Sequence, residues 1–119
     1  MRIPRAVSLG FVLAGACGRA DARTVPGGNA DRGKATIIAA GCGACHVIDG
    51  IDDAHGEVGP PLSGIAKRSV IGGILPNTPD NIMRWIEDAP SISPHTAMPN
   101  LGVTPEQARD IAAYLYSRR

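Results

Sequence analysis

Apolar residues recur with helical spacing in three separate segments of the chain, and no segment shows the alternation typical of a half-buried strand. The first predicted helix runs from residue 31 to about residue 40. Its apolar face is formed by Ala35, Ile38 and Ala39, with Ile37 beside it. The regions between the three segments are rich in glycine and proline, which favours long loops. The pattern predicts an all-α chain with three main helices.

The second and third predicted helices begin with the same kind of cap. Thr78 and Thr104 each precede a proline, so a threonine hydroxyl caps the helix and proline takes its first position. Gln107 stands where a capping box requires it. Pro90 and Pro94 are predicted to end the second helix, since proline interrupts an α-helix. The apolar positions of these two helices are Ile82, Trp85, Ile86 and Ala89, then Ala108, Ile111, Ala112 and Leu115.

The first 22 residues are typical of an export signal. Two arginines lie near the start, and the uncharged stretch 6–16 that follows is too short to span a bilayer as a helix. Residues 20–22 carry the small side chains that a leader peptidase needs, which predicts cleavage before Arg23. The alternative is a lipoprotein signal ending before Cys17, because residues 14–17 resemble a lipobox. Either route predicts an exported, periplasmic protein.

The expected organisation is a signal peptide at 1–22, a flexible Gly/Pro linker at 23–30 and one domain at 31–119. A chain of 119 residues suits a single core. Loss of the signal removes more basic than acidic residues, so the domain becomes near neutral to mildly acidic. Lys34 and Lys67 are the only lysines, so no basic patch indicates a nucleic-acid site. A membrane is involved only if Cys17 is lipidated.

The predicted domain is poor in the side chains that usually fill a core. Aromatic residues make up 3% of the chain, whereas 15 glycines and 10 prolines indicate extensive loops. Small chains of this kind usually need a disulfide, a metal or a cofactor for stability. Three cysteines are too few for a disulfide framework. The composition therefore indicates a bound group that supplies apolar mass.

Cys42-Gly43-Ala44-Cys45-His46 forms a C-x-x-C-H motif at the end of the first predicted helix. Two cysteines at this spacing can form thioethers with the two vinyl groups of one haem, and the adjacent histidine can ligate the iron. Export fits this interpretation because c-type haem is attached outside the cytoplasm. A redox disulfide is disfavoured because no βαβ pattern is present, and structural zinc because no second cysteine pair exists. One covalent haem c is therefore predicted.

A low-spin electron-transfer haem needs a second axial ligand, for which the sequence offers four candidates. Met98 is favoured because prolines on both sides can hold its loop rigid. His95 lies three residues away and could compete. Met83 lies beside the apolar stripe of the second helix, which favours core packing. His55 stands among acidic residues, which favours exposure to solvent.

These motifs together resemble class I c-type cytochromes of the small bacterial kind, over nearly the whole predicted domain. Segment 33–37 resembles the family's first helix, with Gly33 where that helix crosses the last one. Segment 96–99 resembles its methionine-ligand signature. The resemblance implies that Trp85 lines the distal pocket, a plain core tryptophan being the alternative, and that Tyr114 packs near the haem crevice. It also implies a cytochrome c-like fold, with three main helices and long loops wrapped around the haem.

Segment 59–62 resembles the family's G-P-x-L segment. By this resemblance the Pro60 carbonyl accepts a hydrogen bond from the far ring nitrogen of His46, which would orient the ring and raise its basicity. Leu62 would pack on the haem face. Arg68 would face a haem propionate, the alternative being a solvated surface charge.

The resemblance implies an electron carrier of a respiratory chain, not an enzyme, with His46 and Met98 as iron ligands. Its donor would be a quinol-oxidising complex or a dehydrogenase, and its acceptor a terminal oxidase or reductase. Two alternatives stay open: a five-coordinate haem protein that binds a gas or peroxide, and a fixed haem subunit of an oxidase or dehydrogenase. The near-neutral charge departs from the lysine-ringed mitochondrial type and argues against strongly electrostatic docking.

Overall fold

The fold is carried by three α-helices, as the apolar pattern predicts. A computed structural model describes residues 23–118, so the predicted signal peptide and Cys17 lie outside the described residues. Within the described part, no helix is long and apolar enough to cross a membrane. The helices are α1 (Ala30–Ala39), α2 (Pro79–Ile92) and α3 (Pro105–Ser117).

The connection between α1 and α2 is mostly loop, with short regular pieces. Single turns of 3-10 helix form at Cys42–Ala44 and Ile65–Lys67. A small antiparallel ribbon pairs β1 (Val70–Ile71) with β2 (Leu75–Pro76), with Ile71 opposite Leu75. Two-residue strands leave the all-α assignment intact.

The buried face of α1 differs from the predicted one. Gly33 and Ile37 are buried, whereas Ala35 and Ala39 are exposed and Ile38 is 58% exposed. The predicted face was wrong because the contact with the rest of the protein is made through a glycine. A glycine adds nothing to an apolar count, so the periodicity pointed to a neighbouring face.

The helices α1 and α3 cross with their backbones in direct contact at Gly33. A Cβ atom built on Gly33 would lie 2.0 Å from the carbonyl oxygen of Asp110 and 3.0 Å from the amide nitrogen of Ile111. No side chain fits into this space, so glycine is required by close approach. The crossing lies where the family resemblance implies it.

A second contact ties the start of α1 to α3. The buried Asp110 carboxylate accepts hydrogen bonds from Nε and Nη2 of Arg32, at 2.7 and 3.0 Å, and from the amide of Asn29 at 2.7 Å. The Asn29 side chain caps α1 by accepting from the Arg32 amide. The Arg32 guanidinium, hydrogen-bonded to Asp110, lowers the pKa of that carboxyl below its usual range. Asp110 therefore holds both the first turn of α1 and its cap.

The helix α2 begins as predicted but continues past its expected end. Thr78 caps it by accepting from the Asn81 amide. The prediction that Pro90 ends the helix was wrong, because helical structure resumes after a kink at Asp88 (φ −156°, ψ 75°) and runs to Ile92. Pro90 lies in the first turn after this kink, where its missing amide proton leaves no helical hydrogen bond unmade.

The helix α3 lies at the centre of the core. Its predicted capping box is present: Thr104 Oγ1 accepts from the Gln107 amide, and Gln107 Oε1 accepts from the Thr104 amide. The α3 helix packs against both α1 and α2. Its four predicted apolar positions are buried, and three further residues are buried with them: Asp110, Tyr114 and Tyr116.

Residues 23–30 are expected to be a flexible linker; Ala30 begins α1, and the segment before it contacts α3. Val25 is 9% exposed and joins the core. A Cβ atom on Gly28 would lie 2.7 Å from the side chain of Ala113 and 3.0 Å from the Arg109 carbonyl oxygen. Val25, the close approach of Gly28 and the hydrogen bond from the Asn29 amide to Asp110 hold this segment in place.

Replacing Gly33 by alanine tests the helix crossing. We expect a loss of roughly 1–3 kcal/mol or more, because the added methyl group forces two backbones apart. The direction of the change in the free energy of unfolding is diagnostic, since alanine in a helix normally stabilises by about 1 kcal/mol relative to glycine. Urea unfolding followed by circular dichroism measures the change, with Lys34→Ala at the exposed neighbouring position as control. An unchanged or raised midpoint for Gly33→Ala would contradict the contact.

The pH dependence of stability tests the Asp110 contacts. Because the pKa of Asp110 is lowered in the folded state, its carboxylate stabilises the fold above the ordinary aspartate pKa of about 3.9. That stabilisation is lost as the pH falls from there through the lowered value. Asp110→Asn should be less stable at pH 7 and should lose part of the acid sensitivity. Urea midpoints at pH 7 and at about pH 3 measure both effects. Asp52→Asn, in an exposed loop, is the control. If Asp110→Asn kept the wild-type dependence of stability on pH, the assignment would be contradicted.

Candidate functional site

A cavity of about 710 Å³ lies between the C-x-x-C-H turn, the loop 58–73, the helix α2 and the loop 93–101 that precedes α3. Its size is in the range of small-molecule and cofactor pockets. The polar side chains that line the cavity come from the loops and the C-x-x-C-H turn, and they include His46, Arg68 and His95. The apolar side chains that line it include Leu62, Ile65, Ile71, Ile82 and Leu115.

The C-x-x-C-H turn follows directly from the end of α1. Gly41 has a φ of +72°, a left-handed conformation that ends the helix and opens the 3-10 turn. The amides of Cys45 and His46 both donate to the Cys42 carbonyl, at 3.2 and 3.1 Å, which closes the turn. Both cysteines are half-buried free thiols that line the cavity beside His46. Burial raises the pKa of the Cys42 thiol above its usual value.

The His46 ring is held by the segment that the sequence singled out. Its Nδ1 lies 2.7 Å from the Pro60 carbonyl oxygen, which can only accept, so Nδ1 carries the donated proton. This leaves the lone pair on Nε2. A Cβ atom on Gly59 would lie 2.3 Å from His46 Cε1, so the Gly59 backbone lies too close to the ring for any side chain. The hydrogen bond implied by the resemblance is present.

Arg68 lines the cavity and also holds the loop backbone. Its Nη2 donates to the carbonyl oxygen of Pro61 and to that of Ser63, at 3.3 Å in the second case. The side chain is half-buried, so it is not a free surface charge. The bonds to backbone carbonyls were not predicted, because no sequence pattern signals an arginine that bonds to the main chain of its own loop.

Trp85 lines the cavity and packs into the core. A Cβ atom on Gly72, whose φ is +56°, would lie 2.5 Å from the indole ring. The turn of the β ribbon therefore lies against the six-membered ring of the indole. Both interpretations of Trp85 in the sequence, pocket lining and core packing, describe its position.

The structure separates the four candidates for the second axial ligand. Met98 and His95 both line the cavity, Met98 half-buried and His95 exposed. Met83 packs in the hydrophobic core, and His55 is exposed outside the cavity lining. The Met98 amide donates to Thr96 Oγ1 at 3.2 Å, which fixes the loop just before the thioether.

Tyr114 is not among the residues that line the cavity, and its expected packing near the haem crevice stays a prediction. Its ring is 1% exposed, and its hydroxyl donates to the Asp49 carbonyl at 2.8 Å. The neighbouring Leu115 lines the cavity instead. Adjacent residues on a helix point about 100° apart, so Leu115 faces the cavity while Tyr114 faces the loop at Asp49.

The donor set of the cavity fits a haem better than a bare metal ion. Among residues 23–118 no cluster of three or more His, Cys, Asp or Glu side chains could hold a metal ion. Two thiols three residues apart, an imidazole with a free Nε2 and a thioether instead share one apolar cavity. An apolar cavity of this size suits a planar macrocycle attached at the thiols.

Comparison with known proteins agrees with this chemistry. A model of the cytochrome c family matches residues 30–119. Cytochrome c oxidase subunit 2 of Alkalihalophilus pseudofirmus (strain OF4) is 30% identical over 89 residues, which cover 74% of this chain and 25% of that protein. Cytochrome c oxidase subunit 2 of Bacillus sp. (strain PS3) is 30% identical over 80 residues, covering 64% of this chain and 22% of that protein. The chain thus spans a quarter or less of the length of these relatives.

The family match covers all three helices and the whole cavity. Proteins of this family bind haem c covalently, and Cys42 and Cys45 have the required spacing. The all-α architecture agrees with the family fold. The chain belongs to the cytochrome c family, whose members bind haem and transfer electrons.

Proposed function

We propose that the protein is an exported electron carrier whose single haem c has His46 and Met98 as axial ligands. The observation that carries the proposal is that His46, Met98, Cys42 and Cys45 line the same apolar cavity of about 710 Å³. The haem, when bound, supplies a one-electron couple between ferric and ferrous iron. The chain supplies the ligands, their orientation and the exclusion of water.

His46 is prepared for metal binding by its hydrogen bond to Pro60. The bond places the proton on Nδ1 and leaves Nε2 as the ligating nitrogen. A strong acceptor on the far nitrogen also raises the basicity of the ring. Because the Gly59 backbone lies close to the ring and the Pro60 carbonyl accepts its proton, contacts within the chain orient the imidazole.

Met98 and the apolar lining favour the reduced state. A thioether sulfur stabilises ferrous iron relative to more basic ligands. Leu62, Ile65 and Ile82 give the cavity an apolar lining, and low polarity disfavours the extra charge of the ferric state. The expected potential is therefore high for a c-type haem.

The rim of the cavity suits a transient apolar contact with redox partners. Val58, Val70 and Leu101 line the cavity yet are 70%, 47% and 45% exposed. A small interface of this kind gives weak, rapidly reversible binding. We propose a quinol-oxidising complex or dehydrogenase as donor and a terminal oxidase or reductase as acceptor. The oxidase names of the two relatives support an oxidase as the acceptor.

A fixed haem subunit of an oxidase is the second candidate. In the two relatives the similar segment is a quarter or less of an oxidase subunit. Solubilised native membranes distinguish the two functions. Constant co-purification with one oxidase supports the subunit, whereas release in the soluble fraction supports a mobile carrier.

Replacement of Met98 tests the proposed ligand set. Met98→Ala should keep its covalent haem but lose the absorbance band at the red edge that is typical of a Met–Fe(III) bond. The midpoint potential should fall by on the order of 0.1 V, part of the roughly 0.8 V that axial ligands span. The open iron should also bind carbon monoxide.

Two variants serve as controls for Met98→Ala. Met83→Leu changes a core methionine and should keep the band and the potential. His95→Ala tests the other donor of the same loop. His95→Ala should keep the band. A wild type without the band, or a Met98→Ala variant that keeps it, would reject Met98, and carbon monoxide binding to the wild type would favour a five-coordinate haem protein.

The intact mass of the mature protein tests export and haem attachment together. We expect the mass of residues 23–119 plus one haem, from a leader peptide that ends at residue 22. A lipid-modified mass beginning at Cys17 would instead give a membrane-anchored carrier. Cys42→Ala/Cys45→Ala should lose the haem mass and keep the processed N-terminus. An uncleaved wild-type chain would contradict the proposed periplasmic location.

A further inference from the structure

Asn77 lies buried at the start of α2, with every polar group of its side chain hydrogen-bonded. Its Nδ2 donates to the carbonyl oxygens of Ile65 and Arg68, both at 2.8 Å. Its Oδ1 accepts from the hydroxyl of Tyr116 on α3 at 2.6 Å. Its own amide donates to Ser69 at 2.9 Å. Asn77 therefore holds the 65–69 turn against α3.

The side chain of Arg68 connects the 65–69 turn to the backbone that contacts His46. Asn77 bonds to the backbone of Arg68, and the Arg68 guanidinium donates to the carbonyl of Pro61. Pro61 is bonded to Pro60, whose carbonyl accepts the Nδ1 proton of His46. An unbroken series of hydrogen bonds and backbone therefore joins Tyr116 to His46.

We propose that Tyr116 and Asn77 are positioning residues for His46, acting through Arg68 and the Pro60–Pro61 backbone. The inference rests on the proposed ligation of iron by His46. The backbone on either side of Pro60 is bonded to the His46 turn, since the Gly59 amide donates to the Cys45 carbonyl at 2.7 Å and the Leu62 amide to the Val47 carbonyl at 2.9 Å. The Arg68 guanidinium adds the contact that joins Pro61 to the turn that Asn77 ties to α3.

The expected effect has a definite sign. The Pro60 bond makes the imidazole a more basic ligand, which favours ferric iron. Loosening this series of hydrogen bonds lengthens the bond between His46 and Pro60 on average. The imidazole then becomes less basic, and the midpoint potential of the haem rises. A merely structural role would lower stability without moving the potential.

Tyr116→Phe is the main test, because it removes one hydroxyl and keeps the ring. We expect the ratio of reduced to oxidised protein at a fixed potential to rise roughly two- to threefold, part of the effect of one hydrogen bond. Exchange of the His46 Nδ1 proton, followed by NMR in the haem-loaded protein, should become faster. Tyr114→Phe is the matched control: its hydroxyl is also bonded from α3 to the loop, but to Asp49. It should lose similar stability and keep the wild-type potential.

A double-mutant cycle tests the route through Arg68. Arg68→Lys keeps the positive charge but lacks the guanidinium that reaches the Pro61 and Ser63 carbonyls together. In that background Tyr116→Phe should no longer change the potential. If Tyr116→Phe fails to yield haem-loaded protein, Asn77→Ser is measured in the same way.

Three results would overturn the inference. The first is an unchanged potential and exchange rate in Tyr116→Phe. The second is an equal change in Tyr114→Phe, which would indicate general loosening of the core. The third is an undiminished Tyr116→Phe effect in the Arg68→Lys background. If the wild-type protein shows no paramagnetically shifted His46 resonances, His46 ligation itself is rejected, and the proposed function falls with the inference.

Discussion

The backbone contact at Gly33 fixes how α1, which leads into the C-x-x-C-H turn, lies against α3, which lines the cavity through Leu115. The C-x-x-C-H turn follows α1 after only a short connection, so the direction of α1 decides where both thiols and His46 point. The helix α3 in turn brings Leu115 to the cavity. Since no side chain separates the two backbones, the distance between these two parts of the site cannot vary with packing.

The loops around the cavity are held by hydrogen bonds from α3 as well as by apolar packing. Tyr114 and Tyr116 each donate a hydroxyl hydrogen bond across the core, one to the loop after His46 and one to Asn77. A chain with 3% aromatic residues has few large rings with which to cover long loops. Buried polar networks of this kind specify one arrangement when every group is satisfied. Within residues 23–118 no buried side-chain polar atom lacks a partner.

The sequence predicted what depends on local chemistry and missed what depends on distant contacts. The threonine caps and the capping box of α3 were predicted because each uses residues within one helical turn. The buried face of α1 was missed because Gly33 has no side chain to count. The end at Pro90 was missed because the kink at Asp88 lets a proline begin a new turn. The role of Asn77 could not be predicted, since its partners lie 9 to 39 residues away.

In the proposed ligand set, two parts of the fold act on the iron in opposite directions. Met98 and the apolar lining favour the ferrous state, whereas the hydrogen bond from His46 to Pro60 favours the ferric state. The effect of Met98 and the apolar lining depends on which side chains line the cavity. The effect of the hydrogen bond depends on the position of one backbone carbonyl, which follows the loop that Asn77 and Arg68 hold. The potential can therefore be adjusted by residues far from the haem without any change of ligand.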